Sequence, residues 1–360
     1  MADRYWILGT GTWDSTTTTN WSASSGEAGG ASVPTASDNV FFDANSNVLL
    51  TAFTCTMANS PRVCNDFLAS GLDGAMTLAG SGIGLTVSGN LTFQATNFSA
   101  TYTSFTIFNS TTTGKTITTN GVTLPNPTFN GVGGAWALNG ALTTNSAIGF
   151  TNGTLDLNGN SCTTTNRISI NAGTKNITFN GGTLFVGATN ATAFNNNNPT
   201  NFTTTAGTGT GAISMTGATA KTFVGGGSTF NCTLNQGGAG ALTITGSNTF
   251  TNITNTYKST GATSILFTAS TTSTFTNWNA SGESTRLLTI GSVTAASHTL
   301  SKASGTVSAD FLSISRSTAT GGAGWYAGAN STDGGNNSGW IFTAPPAPSA
   351  GNGNFLMFFQ

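Results

Sequence analysis

The sequence predicts an all-β fold, a solenoid of stacked parallel coils, from two periodic features. The first is an alternation of apolar and polar residues. Many apolar residues lie two positions apart, as Leu85 and Val87 or Leu288 and Ile290 do, and the residue between the two is usually Thr, Ser or Asn. This period of two turns one face of a pleated strand inward. The second feature is the recurrence of phenylalanine at the spacing of one solenoid coil.

The phenylalanines mark the length of a coil. Phe129 and Phe150, Phe230 and Phe250, and Phe250 and Phe275 recur at similar intervals along the chain. These intervals match a solenoid coil, which takes about 20 to 25 residues, and since one coil cannot bury its own apolar stripe, successive coils stack. Tandem antiparallel β-sandwich or jelly-roll domains, which also have short alternating strands and Gly-rich turns, are the alternative.

Glycine and asparagine separate the strands, at positions where the chain needs positive φ. Thr and Gly oppose helix formation, and no stretch of ten residues has helical apolar spacing, so we expect almost no helix. Turns are predicted at Ser88-Gly89-Asn90, Asn158-Gly159-Asn160, Asn180-Gly181-Gly182 and Thr245-Gly246-Ser247.

Residues 1–50 are predicted to form an N-terminal cap on the solenoid. Three of the seven tryptophans, Trp6, Trp13 and Trp21, lie close together near the start of the chain. An uncovered solenoid end would pair with another chain, so we expect this aromatic cluster to cap the first coil.

The solenoid itself is predicted over residues 51–342. Two runs within it, 125–134 and 195–211, are rich in Gly, Asn and Pro. These are poor residues for central strands, so we expect both runs to project from the stack as loops.

Residues 343–360 are predicted to be a Pro- and Gly-rich linker with an apolar tail. Consecutive apolar residues at an exposed end would aggregate unless a partner buries them, so we expect the tail to contact another chain in an oligomer. The predicted contact residues are Phe355, Leu356, Met357, Phe358 and Phe359.

Charge is scarce, at 6% of residues and a formal net charge of -1. The ten basic residues are scattered from Arg4 to Arg316, which argues against a nucleic-acid partner because phosphates require clustered Lys and Arg. No span approaches the roughly 18 apolar residues of a membrane segment, and the first residues lack the apolar stretch of a signal peptide. We expect no membrane insertion, and release from a cell by a route such as lysis.

The sequence offers little for catalysis. His298 is the one histidine, and with no nucleophile motif near it we expect an outward polar residue on a strand. No acid occurs between Asp156 and Glu283, so the middle coils lack the carboxylate pair of a glycosidase. Asp333, in Asp-Gly-Gly-Asn-Asn, is interpreted as a turn residue rather than a calcium ligand. We predict no enzyme activity, no cofactor and no metal.

The four cysteines, Cys55, Cys64, Cys162 and Cys232, form no C-x-x-C pair, and one histidine is too few for a zinc site. Cys55 and Cys64 could bridge a turn, but buried free thiols on strands are the favoured state. Neither state fixes the redox compartment.

Two stretches resemble proteins of a known kind. Gly9-Thr-Gly-Thr-Trp13, with Asn20-Trp21 and Asp38-Asn-Val-Phe-Phe-Asp43, resembles the start of β-helical passenger segments of bacterial surface proteins. The stretch from Phe275 to Phe342 is similar to the terminal coils of β-helix proteins of phages and bacterial surfaces. The resemblance implies a right-handed parallel β-helix, and trimers if the protein belongs to a virion. It supplies no catalytic residue, and the lack of a secretion signal or sorting motif favours the virion.

The expected function is that of a non-enzymatic structural or display protein on a bacteriophage virion surface, as a fibre or spike component or a head-decoration protein. Its partners would be other virion proteins and host-surface polysaccharide. Trp325, Tyr326 and Trp278 are the candidate glycan-binding residues, because flat rings pack against sugar faces. A polysaccharide-depolymerising tailspike and a bacterial adhesin or biofilm scaffold are the alternatives.

Overall fold

The computed structural model describes residues 1–49, 51–188 and 191–347. The chain forms a β-solenoid of about 13 turns, with 47% strand and 2% helix, which confirms the predicted all-β class. Successive coils pair in parallel, as Lys221–Val224 does with Leu242–Thr245 and as Leu242–Thr245 does with Thr263–Phe267. This parallel pairing excludes the antiparallel sandwich alternative.

Each turn of the solenoid has three faces, and most strands belong to a single face. The first-face strands are Asp3–Trp6, Asn39–Phe42, Phe67–Ala69, Leu91–Thr92, Lys115–Thr118, Lys175–Thr178, Phe202–Thr205, His298–Lys302 and Ser317–Gly321. The second-face strands are Gly11–Trp13, Phe53–Met57, Met76–Ala79, Phe98–Ala100, Leu142–Thr144, Ser161–Thr164, Thr183–Val186, Ala212–Met215, Thr306–Ser308, Gly324–Tyr326 and Trp340–Ile341. The third-face strands are Arg62–Cys64, Leu85–Val87, Thr106–Phe108, Ile168–Ile170, Thr192–Asn195, Lys221–Val224, Leu242–Thr245, Thr263–Phe267, Leu288–Ser292, Leu312–Ile314 and Thr332–Asp333.

Longer strands continue around a corner from one face to the next. Those that pass from the third face to the first are Pro127–Leu138 and Ile148–Asp156. Those that pass from the first face to the second are Thr229–Gln236, Thr249–Asn255 and Thr272–Asn279. Outside this pattern are Trp21–Ser22, which pairs antiparallel with the first strand, and the 3-10 helices Ala44–Ser46 and Tyr257–Ser259.

The corners vary in length, so the coil does too. Leu234 pairs with Ile253 in one short coil, whereas the coil from Leu184 to its partner Ile213 is much longer. Several predicted turns lie at these corners with positive φ, including 48° at Asn158 and 46° at Asn180. Asparagine suits these positions because its side chain tolerates the left-handed conformation.

Stacked phenylalanines fill the interior at the spacing that the sequence predicted. Phe129 pairs with Phe150, and their ring centroids are 5.2 Å apart. Phe230 stacks on Phe250 at 5.2 Å, and Phe250 on Phe275 at 5.8 Å. Because each ring lies on the ring of the next coil, the apolar stripe becomes one continuous core.

The prediction of a loop at 125–134 is wrong. Most of this run belongs to Pro127–Leu138, the longest strand among the described residues. Proline is tolerated because it is the first residue of the strand. The glycines serve close packing, since a Cβ on Gly134 would lie 2.0 Å from the carbonyl oxygen of Ser110 in the preceding coil.

The prediction of a loop at 195–211 is correct only in part. The segment includes the first-face strand Phe202–Thr205, which pairs with Lys175–Thr178. Asn196, beside the strand that ends at Asn195, is fully buried and donates its side-chain amide to the carbonyl of Gly225 at 3.0 Å. An inward amide that bonds the backbone of the next coil therefore holds this corner.

The N-terminal tryptophans form one buried aromatic cluster. Trp21 lies edge-on to Trp6 and to Trp13, with ring centroids 5.2 Å apart in both cases, and Phe42 of the next first-face strand contacts Trp6 at 5.9 Å. All three indoles are fully buried. Trp6 and Trp13 lie on the first strands of the first and second faces, so the cluster fills the interior of the first coil. The capping role of the cluster and the boundaries at residues 50 and 342 stay predictions. The predicted oligomer contacts Phe355 to Phe359 lie outside the described residues.

Candidate functional site

The carboxylates of several aspartates hold corners of the solenoid. Asp66 Oδ1 accepts the backbone N–H of Asn90 at 2.7 Å, and Asp333 Oδ1 accepts that of Gly335 at 2.9 Å. Asp333 is the last residue of the strand Thr332–Asp333, and its carboxylate holds the turn that follows, in agreement with the prediction of a turn here. Backbone N–H groups of the described chain also bond Asp14, Asp38, Asp43, Asp156 and Asp310.

At Asp14 such bonds favour the ionised carboxylate. Hydrogen bonds from Thr17 and Thr16 hold the pKa of Asp14 below its ordinary value. In the described ranges no group of three or more His, Cys, Asp or Glu side chains could hold a metal ion.

The prediction of an outward histidine is wrong. His298 is fully buried, its ring lies 4.7 Å from that of Phe267, and its Nδ1 is 2.9 Å from the hydroxyl of Ser292. Burial lowers the pKa of His298 to about 4, because an apolar site disfavours the charged imidazolium. The ring is therefore a neutral core residue that solvent does not reach.

The predicted glycan-binding tryptophans lie in the core. Trp325 is 2% exposed and Trp278 4% exposed, and both contact Trp340 in one edge-to-face cluster. Their indole N–H groups donate to the carbonyls of Thr320 and Ala280, each at 2.9 Å. With rings and donors already engaged, neither tryptophan presents a face to a sugar. Tyr326, between two buried neighbours, is half-buried.

A groove on the third face carries a different set of exposed side chains. We call it the third-face groove; its volume is about 370 Å³. Its lining residues are Phe105, Ile107, Asn126, Thr128, Ala147, Gly149, Arg167, Ser169 and Asn171.

Register places these side chains in rows across four coils. Ile107 pairs with Thr128, Thr128 with Gly149, and Gly149 with Ser169. The other row is formed by the residue just before each of these four strands, namely Phe105, Asn126, Ala147 and Arg167. Both rows line the same depression on the outer side of the third face.

Small residues create the depression. Ala147 and Gly149 occupy the third coil of the four, between the larger side chains of the flanking coils. A Cβ on Gly149 would lie 3.3 Å from Thr128 Oγ1, which shows how closely a neighbouring side chain approaches this backbone.

The two ends of the groove differ in chemistry. Phe105 is 56% exposed, and no other aromatic side chain of the described residues is as open to solvent. Arg167, at the other end, is also exposed. Their backbones are fixed in the ladder, because the carbonyl of Phe105 accepts from Leu85 at 3.0 Å and that of Arg167 from Ile148 at 2.9 Å. The groove is therefore a rigid site with an apolar end and a cationic end.

Two other depressions lack this combination. A first-face depression of about 720 Å³, between Phe202–Thr205 and Asn231, is lined mainly by Thr, Ser and Gly. A second-face depression of about 450 Å³ is lined by Thr, Asn and Ser around Phe185. Neither contains a charged side chain, so volume alone does not identify the best site.

Sequence reasoning missed Phe105 because alternation did not show which side chains of the neighbouring strand point into the core. Phe105 and Ile107 have the same apolar spacing as an inward pair, yet the inward residues are Thr106 and Phe108. The signal was available: Phe108 precedes Phe129 by the same interval that separates Phe129 from Phe150. Extending this column by one coil puts Phe108 inside and Phe105 outside.

Comparison of the chain with protein-family models, curated proteins and solved structures finds no match. The β-helix part of the resemblance is confirmed by the fold. Among the described residues, none of the helical segments has the length and apolar composition needed to cross a bilayer.

Proposed function

We propose that this chain is a non-enzymatic display protein that binds oligosaccharides in its third-face groove. The observation that carries the proposal is the exposed ring of Phe105 in a concave site that also contains Asn126, Asn171 and Arg167. An aromatic face packs against the apolar C–H face of a sugar, while amides and hydroxyls bond its hydroxyl groups.

The dimensions suit a short oligosaccharide. Phe105 and Arg167 lie three coil spacings apart, which is about 14 Å at the usual distance between neighbouring strands. At the third of the four coils, the small residues Ala147 and Gly149 let a ligand approach the backbone. Rigid strands supply every lining position or its immediate neighbour, so little ordering accompanies binding.

The same groove supports binding rather than cleavage. Glycosidases use two carboxyl groups about 5 to 10 Å apart, and the lining residues include no Asp, Glu or His. A polysaccharide-depolymerising spike stays the enzymatic rival, and release of reducing ends from capsular or lipopolysaccharide preparations would detect it.

Binding is tested with the full chain on an oligosaccharide array, followed by calorimetry on the ligands found. Phe105→Ala should weaken binding about tenfold or more, because the ring supplies apolar contact area. Val293→Ala is the matched control, since Val293 is also an exposed apolar residue but lies outside the groove. Equal affinities of the two variants for every ligand would exclude the groove as the binding site.

We further propose that the chain acts on a virion surface, which its resemblance to phage β-helix proteins supports, and in a homo-oligomer, which its apolar tail supports. Mass spectrometry and a density map of purified particles would test the location. A genomic neighbourhood of secretion genes would instead favour the adhesin or biofilm alternative.

Light scattering on the full chain and on a version ending at Thr343 tests the role of the tail in the oligomer. We expect the full chain to be an oligomer and the truncated version to be a monomer. The proposal is refuted if both are monomers.

A further inference from the structure

We infer that the third-face groove selects oligosaccharides that carry a carboxylate sugar, which Arg167 binds at the end opposite Phe105. This inference rests on the proposed oligosaccharide function and adds a ligand class to it. It follows from the state of the Arg167 side chain, from the charges around it and from the geometry of its guanidinium.

The guanidinium of Arg167 has no partner among the residues that the structure describes. Among the described residues its guanidinium has neither a hydrogen bond nor an ion pair, and the one ion pair joins Arg286 to Glu283 at 3.3 Å. An arginine with a structural role normally bonds carbonyls or carboxylates, as Arg4 does with the carbonyl of Ser32 at 2.8 Å. Arg167 instead lies on the groove lining with its donors open to a ligand.

The surroundings leave its positive charge uncompensated. Between Asp73 and Glu283 the sole acidic residue is Asp156, and its carboxylate accepts from Asn158 and Asn180 at a corner. The groove lining contains no acid. A groove with one cation and no nearby competing anion favours a ligand that brings the negative charge.

The guanidinium is suited to a carboxylate in particular. Its planar donor fork matches the two carboxylate oxygens, and such charge-assisted bonds are stronger than bonds between neutral groups. Ser169 and Asn171, two and four residues after Arg167, line the same end of the groove. There they are placed to bond sugar hydroxyls. We therefore expect the charged sugar at Arg167 and an apolar sugar face at Phe105.

Calorimetry with matched ligands tests the inference. The probes are oligosaccharides of glucuronate, galacturonate and mannuronate, each with its carboxyl-reduced, neutral counterpart. The wild-type chain should bind one of the acidic chains about ten- to a hundredfold more tightly than its reduced form. Arg167→Gln should bind both forms equally, at the wild-type affinity for the reduced chain, and Arg167→Lys should fall between. Arg316→Gln, which removes an arginine outside the groove, should keep the wild-type preference.

The outcomes separate this inference from the proposed function. If Phe105→Ala weakens binding but carboxyl reduction has no effect, the groove binds oligosaccharides and the carboxylate selection is refuted. The selection is refuted equally if Arg167→Gln keeps the preference for the acidic chain. If no oligosaccharide binds the wild-type chain, both proposals fail. Circular dichroism of each variant confirms folding, and the exposed position of Arg167 predicts no loss of fold.

Discussion

The ring of Phe230 stacks on the ring of Phe250, one coil further along, with centroids 5.2 Å apart and planes inclined by 15°. Phe275 continues the column, and Phe223 from the third face also contacts Phe250 at 5.6 Å. Offset stacking is a favourable arrangement of aromatic quadrupoles and adds to the gain from burying the rings. The column therefore joins several coils through side chains as well as through the β ladder.

Replacing a ring in this column should destabilise the solenoid strongly. Phe250→Ala removes a fully buried side chain that touches three other rings, and we expect a loss of about 3 to 5 kcal/mol in the free energy of unfolding. Urea denaturation followed by circular dichroism measures it. Thr251→Ala, at a half-buried position next to it, should change stability far less. Similar losses in both variants would contradict the stacked core.

Glycine at position 134 is required by the packing of two coils. A Cβ there would lie 2.0 Å from the backbone oxygen of Ser110, and backbone cannot rotate away as a side chain can. We expect Gly134→Ala to cost about 3 kcal/mol in unfolding free energy. Gly291→Ala is the control, because its nearest contacts begin at 3.4 Å. A Gly134→Ala protein as stable as the control would show that the two coils leave room for a side chain at position 134.

The buried His298 predicts a pH dependence of stability. Its pKa is lowered by burial to about 4, whereas in the unfolded chain it returns to about 6.5. Between these values the unfolded state binds more protons, so stability rises with pH. The stabilising contribution is fully present above pH 6.5 and is lost as pH falls towards 4, by up to about 3 kcal/mol.

His298→Phe, which keeps an aromatic ring beside Phe267, isolates this effect. Urea denaturation of both proteins from pH 7.5 down to pH 4 should show that the free energy of unfolding falls more steeply in the wild type than in the variant. Parallel profiles would mean that His298 is accessible to protons in the folded state.

The cysteines should be unreactive until the chain unfolds. Cys55, Cys64, Cys162 and Cys232 are all buried free thiols on strands, and burial raises the pKa of Cys162 to about 12. Since the thiolate is the reactive form, Ellman's reagent at pH 8 should label none in the native protein and four in denaturant. Rapid labelling of any thiol under native conditions would contradict this burial.

Sequence predicted the architecture because the solenoid rests on two periodicities that a single chain displays. Alternation gave the strands, and the phenylalanine spacing gave the stacking of coils, as the pairs at Phe129 and Phe150 show. The run at 125–134 was misinterpreted because glycine has two roles. Gly131 and Gly134 have the composition of a loop, but glycine is needed at both positions because the backbone of Ser110 in the preceding coil lies against them. That contact depends on the pairing register between two coils, which the local sequence does not show.

The candidate site was harder to predict, because alternation alone does not show which of the two alternating sets of side chains points into the core and which points to solvent. His298 lies two residues before the buried Leu300, so alternation places it inward, although its polarity suggested the opposite. Trp278 and Trp325, distant in sequence, meet in the core with ring centroids 5.8 Å apart. The groove from Phe105 to Arg167 likewise joins four coils, and only their register shows that these residues share a face.

The most direct measurement is a crystal structure of the full chain soaked with the best oligosaccharide found on the array. We predict density in the third-face groove, with one sugar packed on Phe105 and the chain running over Ala147 and Gly149 towards Arg167. Density for the oligosaccharide on the first or second face, with an empty third-face groove, would contradict the proposed binding site.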